Sequence, residues 1–96
     1  MSLLIEERHL NIIKEILKTV NAVVYVFGSR ANGRAAKYSD LDLAIDYSGK
    51  KLPAEIEVKL AGMFENSLLP YKVDIVDLNA ISEQFKDNIK NDFIKL

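Results

Sequence analysis

The stretch Gly28–Asp46, GSRANGRAAKYSDLDLAID, sets two patterns side by side. In its second half, Leu41, Leu43 and Ile45 alternate strictly with Asp42, Ala44 and Asp46. A period of two is that of a β-strand, so one face meets a core and the other carries carboxylates. The first half holds two glycines among small and charged residues and reads as a turn with room for one short helical turn. Upstream, Val23–Phe27 is a continuous apolar run of β-branched and aromatic residues, a buried strand that Gly28 ends. The link between the two strands is too short for a crossover helix, so they read as antiparallel neighbours.

Outward from this core, Ile5–Val20 repeats apolar positions at helical spacing (Ile5, Leu10, Ile13, Ile16, Leu17 and Val20), with charges between them. Downstream, Pro53 suits the first position of a helix running to about Ser67, with Ile56, Leu60, Met63 and Phe64 inward. Pro70 breaks the chain before a third strand, Lys72–Leu78. The link from Asp46 to Lys72 contains a whole helix, which suits a parallel crossover. Asn79 or Ser82 can cap a last helix with Ile81, Phe85 and Ile89 on one stripe, and Phe93–Leu96 adds a short edge strand. The order predicts an α/β (α+β) fold: a two-layer sandwich in which helices cover one face of a small mixed sheet. Tyr25, Phe27, Phe64 and Phe85 fit core positions, and Asp46 and Asp77 read as solvated strand-end carboxylates.

The 96 residues predict a single domain over 1–96. With no cysteine, disulfides and thiolate sites are excluded. The one histidine, His9, reads as a helix-boundary residue and makes a histidine zinc site within one chain improbable on chemical grounds. Any metal would have oxygen ligands, which points to magnesium or manganese. The net charge is −1 and no basic block occurs, which argues against direct binding of duplex nucleic acid. With neither a membrane-length apolar run nor a secretory leader pattern in the sequence given, the expectation is a cytoplasmic protein.

Antiparallel pairing brings Gly28-Ser29 to the sheet end where Asp40 and Asp42 begin. Two carboxylates two residues apart share a face and repel unless a cation lies between them. If the third strand is parallel to the second, Asp74 arrives at the same end. Three convergent aspartates can hold two magnesium ions about 3.5–4 Å apart, an arrangement suited to in-line displacement at phosphorus. Gly28 lets a phosphate approach the backbone, the Ser29 hydroxyl and successive N–H groups can cradle it, and Arg30 and Arg34 can neutralise polyphosphate charge. Taken singly, each feature has a plainer reading as a turn or a solvated strand face; their conjunction carries the chemistry.

Gly28-Ser29 followed by Ser39-Asp40-Leu41-Asp42-Leu43 resembles the signature of the DNA polymerase β-type nucleotidyltransferase superfamily. The fuller string with the VDIVDL strand resembles its smallest branch, the minimal nucleotidyltransferases, over Val23 to about Ile89. The resemblance implies a metal-dependent transferase moving a nucleoside monophosphate, AMP from ATP, to an acceptor. It implies Asp40, Asp42 and Asp74 as catalytic and metal ligands for Mg2+ (two ions) or Mn2+, and Gly28, Ser29, Arg30, Arg34 and Ser39 on the nucleotide. Where the family often has Arg, this chain has Asn32. The resemblance further implies a helical HEPN-type toxin partner, with this chain as antitoxin; a chain this small has little beyond its sheet and covering helices with which to bind an acceptor. The competing readings are an inert nucleotidyltransferase-fold module that neutralises its partner by contact alone, a small-molecule nucleotidyltransferase and, last, a polymerase.

Overall fold

The computed structural model describes residues 3–96. Its elements are α1 (Glu7–Leu17), β1 (Val23–Phe27), α2 (Ser29–Asn32), β2 (Leu41–Asp46), α3 (Ala54–Glu65), β3 (Val73–Asp77), α4 (Glu83–Ile89) and β4 (Ile94–Lys95), with a 3-10 turn at Lys90–Asp92 before β4. The strands form one mixed sheet in the order β3-β2-β1-β4. β1 is antiparallel to β2 and to β4, and β2 is parallel to β3. The β1 and β2 limits match the apolar run and the alternation residue for residue. Helix ends fall within a few residues of the expected ones, and Pro53 sits at the N-cap of α3, just ahead of the helix. Ser82 caps α4, its hydroxyl accepting from the Phe85 amide.

Strand pleating sorts the residues by face. Val24, Val26, Leu41, Leu43 and Ile45 meet Ile13 and Ile16 of α1 and Leu60 and Phe64 of α3 in the main core. Burying such side chains stabilises a domain by roughly 1.5–3 kcal/mol each before chain entropy is counted. The opposite face is partly covered as well. Phe27, Ala44 and Leu78 form a second cluster joined by Tyr25, Val76, Ile81, Ile89 and Phe93. Tyr25 stacks on Phe93 with centroids 4.8 Å apart. The main helices thus lie on one face as expected, while the C-terminal segment folds over part of the other. Phe85 departs from the expected stripe and is 42% exposed; Ile81 and Ile89 of that stripe join the second cluster, together with Phe93 from beyond the helix.

Asp77 is a correction to the solvated strand-end reading. It pairs in register with Ile45 on the core face and is only 8% exposed. Its Oδ2 accepts from the Leu52 amide at 2.7 Å and its Oδ1 from the Asn79 amide at 3.0 Å. Buried carboxylates persist where fixed donors replace water, and here two backbone amides do so, tying the β2–α3 loop to the end of β3. Asp46 is the more open of the two, accepting from the Gly49 amide and the Asn79 side chain. No helix among the described residues is long and apolar enough to cross a membrane.

Candidate active site

β1 delivers Gly28 to the sheet end with φ 74° and ψ −154°, a backbone region essentially closed to side-chain-bearing residues. The chain then turns straight into α2. The Gly28 carbonyl accepts from the amides of Ala31 and Asn32. The amides that open this turn lie ahead of any intrahelical acceptor and are available to an outside one. Gly33, at φ 85°, ends the turn, and Arg34 follows exposed to solvent.

Phe27 pairs with Asp42, and Asp42 pairs with Asp74 across the parallel ladder. Residues paired in register share a face, so Asp42 and Asp74 project together from the side away from α1 and α3. Asp40 lies exposed just before β2. Burial chiefly, then the negative charges of Asp74 and Asp40, hold the Asp42 carboxyl above the usual carboxylate range. The Asp42 side chain packs against the Cα of Gly28: a Cβ there would overlap Asp42 Oδ2 and lie 3.3 Å from Cγ. The glycine turn and Asp42, expected to meet at one sheet end, are therefore in contact.

As placed, no three acidic or histidine side chains among the described residues form a ready-made metal cage. The donor set nonetheless fits a hard cation. It is all oxygen, it carries unrelieved like-charge repulsion at Asp42, and magnesium is usually held by one or two carboxylates together with substrate phosphates. Lys72, two residues before Asp74 and so within reach of the same side, sets its Nζ 3.4 Å from Asp74 Oδ1. That neighbour was readable from the i,i+2 spacing, but the carboxylate pattern alone does not single it out.

Arg30 departs from its expected phosphate-facing role. It is 5% exposed. Its Nη1 donates to the Leu4 carbonyl at 2.7 Å, its Nε and Nη2 to the Ser39 carbonyl at 3.0 and 2.8 Å, and Nη2 also to the Lys37 carbonyl. The guanidinium lies over the Tyr71 ring, 3.8 Å from its centroid. Arg30 is thus a clamp that fixes the loop leading into Asp40, and among the described residues Arg34 is the exposed cation at the turn. Ser39 is likewise engaged, its hydroxyl accepting from the Ala36 amide at 2.8 Å. The Asn32 amide nitrogen reaches Asp92 Oδ2 at 3.4 Å, joining α2 to the turn before β4.

Comparison with known proteins places this geometry. The family model described as polymerase beta, nucleotidyltransferase matches residues 11–96. The chain is 39% identical over 92 residues to a probable protein adenylyltransferase, MntA, of Haemophilus influenzae, covering 94% of this chain and 80% of that protein. A crystal structure of an MntA–HpeT toxin–antitoxin mutant shares the fold, with a TM-score of 0.71 at 23% identity over 88% of this chain and 69% of that one. A crystal structure of a toxin–antitoxin with AMP-PNP is similar at a TM-score of 0.64 and 28% identity, over 78% of this chain and 61% of that one.

Proposed function

The chain belongs to the polymerase β-type nucleotidyltransferase family, and from that premise we propose that it transfers AMP from ATP to a hydroxyl on a helical HEPN-type partner protein, as the antitoxin of a toxin–antitoxin pair. The observation that carries the reading is the same-face register of Asp42 and Asp74 beside the Gly28 turn. The probable adenylyltransferase among its relatives supports transfer to a protein acceptor, and the neighbour holding AMP-PNP supports an adenine nucleotide.

In this reading the Gly28 turn, with Ser29, receives the triphosphate, because no side chain stands between the backbone and the phosphate oxygens. Arg34 offsets the polyphosphate charge. Asp40 and Asp42 hold magnesium or manganese together with the phosphates, and Asp74 completes the set on the acceptor side. The bound ion supplies Lewis-acid polarisation of the phosphate oxygens and lowers the pKa of the attacking hydroxyl. The acceptor oxygen bonds to the α-phosphorus, and the bond from that phosphorus to the bridging oxygen breaks. Pyrophosphate leaves with the electron pair, and the hydroxyl proton passes to the Asp74 carboxylate. Catalysis is chiefly positioning and charge stabilisation. Lys72 occupies Asp74 before the substrate arrives; an exposed pair of this kind is worth at most about 1 kcal/mol and is readily displaced.

The test is incubation of the purified chain with α-phosphate-labelled ATP, magnesium and a purified HEPN-type partner protein. Label retained on that protein, and its loss on adding a chelator, is the expected result. Neutralisation of the partner without any label transferred would replace the enzyme with the contact-only module.

A further inference from the structure

Behind the loop that carries Asp40, on the side away from the carboxylates, lies a cavity of about 590 Å³. None of Gly28, Asp42 or Asp74 lines it. Its walls come from the start of α1 (Glu6, Arg8, His9), from Arg30, and from Lys37, Tyr38 and Tyr71, closed by small and apolar residues. In a chain of net charge −1, this cavity gathers three permanent cations against one carboxylate. That carboxylate is ion-paired with Arg8, Glu6 Oε2 lying 3.0 Å from Arg8 Nε and 3.8 Å from His9 Nε2; the pair is exposed, so Arg8 can exchange it for another anion.

Two aromatic rings frame the space differently. One face of Tyr71 is covered by Arg30, and His9 meets the ring edge-on at 5.7 Å between centroids. The Tyr71 hydroxyl is buried with no hydrogen-bond partner among the described residues. Burial also holds the phenol above its ordinary pKa. Tyr38, by contrast, is largely exposed, with Lys37 Nζ 5.4 Å from its centroid. Its ring is open to stacking and has a cation beside it. The volume lies within the range of ordinary small-molecule sites, roughly 300–1,000 Å³.

We propose that this cavity is a second binding site, separate from the carboxylate face, for a small anion bearing an aromatic ring, of the nucleoside monophosphate class. Arg8 and Lys37 take the phosphate and Tyr38 stacks on the base. The Arg30 clamp on the Ser39 carbonyl joins this site to Asp40 through one peptide unit. Occupancy therefore bears directly on the loop that positions the first carboxylate.

The experiment is a titration of the whole chain with AMP, adenosine and inorganic phosphate in chelator, followed by amide NMR shifts. Without a divalent ion, the triphosphate turn and its carboxylates have little hold on a monophosphate. AMP is expected to shift Glu6–His9 and Ala35–Tyr38 at a stoichiometry of one. Arg8→Ala with Lys37→Ala, both at the surface, is expected to weaken AMP by about tenfold or more with an unchanged melting temperature. Tyr38→Ala is expected to weaken AMP and adenosine but not phosphate. Shifts confined to Gly28, Ser29 and Asp42, or equal affinity in the double variant, would overturn the second site. Phosphate binding as tightly as AMP would overturn the nucleotide assignment and leave a plain anion site.

Discussion

Gly28 and Asp42 are packed so closely that the absent side chain of the one is the space occupied by the carboxylate of the other. The site thus depends on a residue without a Cβ for two independent reasons: the positive φ of 74° and the carboxylate that lies where a Cβ would be. Gly28→Ala is expected to destabilise the fold by about 1–3 kcal/mol and to weaken ATP binding. Asp42→Ala should relieve the overlap but not the backbone strain. A double-mutant cycle read by chemical denaturation is therefore expected to recover part of the loss. Strict additivity would show that the two residues do not share that space.

Asp42→Asn separates charge from shape. Burial and the charges of Asp74 and Asp40 disfavour the ionised Asp42 carboxyl, so the metal-free variant should melt higher at neutral pH. The same change should lower magnesium-dependent ATP affinity by about tenfold or more. Calorimetry giving equal magnesium–ATP affinity for both proteins would remove Asp42 from the metal site.

Arg30 and Arg34 are predicted to behave oppositely although four residues apart. Arg30→Lys removes the fork that reaches the Leu4, Lys37 and Ser39 carbonyls together, and lysine cannot reproduce that geometry. A loss of about 2–4 kcal/mol of stability is expected. Exposed Arg34→Ala should leave the melting temperature within a degree or so while ATP affinity falls several-fold. Equal stability of the two variants would refute the clamp.

Asp46 supplies the pH-dependent case. The Asn79 side chain first, then the Gly49 amide, hold its carboxyl below the usual range. A depressed pKa contributes stability that is fully present above the unfolded carboxylate pKa and lost as pH falls through the folded one. Because Asp46 is only partly buried and solvent screens its partners, the effect should stay below about 0.5 kcal/mol. Asn79→Ala should raise the Asp46 midpoint in an NMR titration and lower stability at neutral pH, with the difference shrinking in acid to what the Asn79 bond to the Lys50 carbonyl contributes. An unchanged midpoint would show that Asn79 does not hold the charge.

The sheet is largely legible in the sequence because its signals are local. Val23–Phe27 announces itself by β-branching, Leu41–Asp46 by its period, and strand direction by link length. The meeting of Gly28 with Asp42 follows from those directions alone. What escapes is where charge goes when the chain closes. Arg30 reads as a phosphate-facing cation and Asp77 as a solvated carboxylate because their partners are backbone carbonyls and amides from distant segments, which residue types do not encode. Phe85 fails for the converse reason: the last helix is so short that Ile89 at its end and Phe93 beyond it complete the second cluster and leave Phe85 outside.

The two aspartates of β3 give the sharpest test of the proposed chemistry. Asp74 pairs with Asp42 on the carboxylate face, whereas Asp77 pairs with Ile45 and accepts from two backbone amides on the core face. Alternation along a regular strand keeps them apart, so one substitution should affect chemistry and the other folding. Asp74→Asn keeps the shape, and the Lys72 contact it weakens is exposed; its stability should change by less than about 0.5 kcal/mol. If Asp74 serves the acceptor side, ATP affinity should stay within a few-fold while transfer to the partner falls by roughly two to four orders of magnitude. Asp77→Ala leaves the Leu52 and Asn79 amides without their acceptor and should cost about 1–3 kcal/mol. Its transfer activity per folded molecule should persist at a temperature well below its melting point. The pair is read by labelled-ATP transfer alongside thermal melts of each variant. Full transfer by Asp74→Asn with loss in folded Asp77→Ala would reverse the assignment of faces to roles.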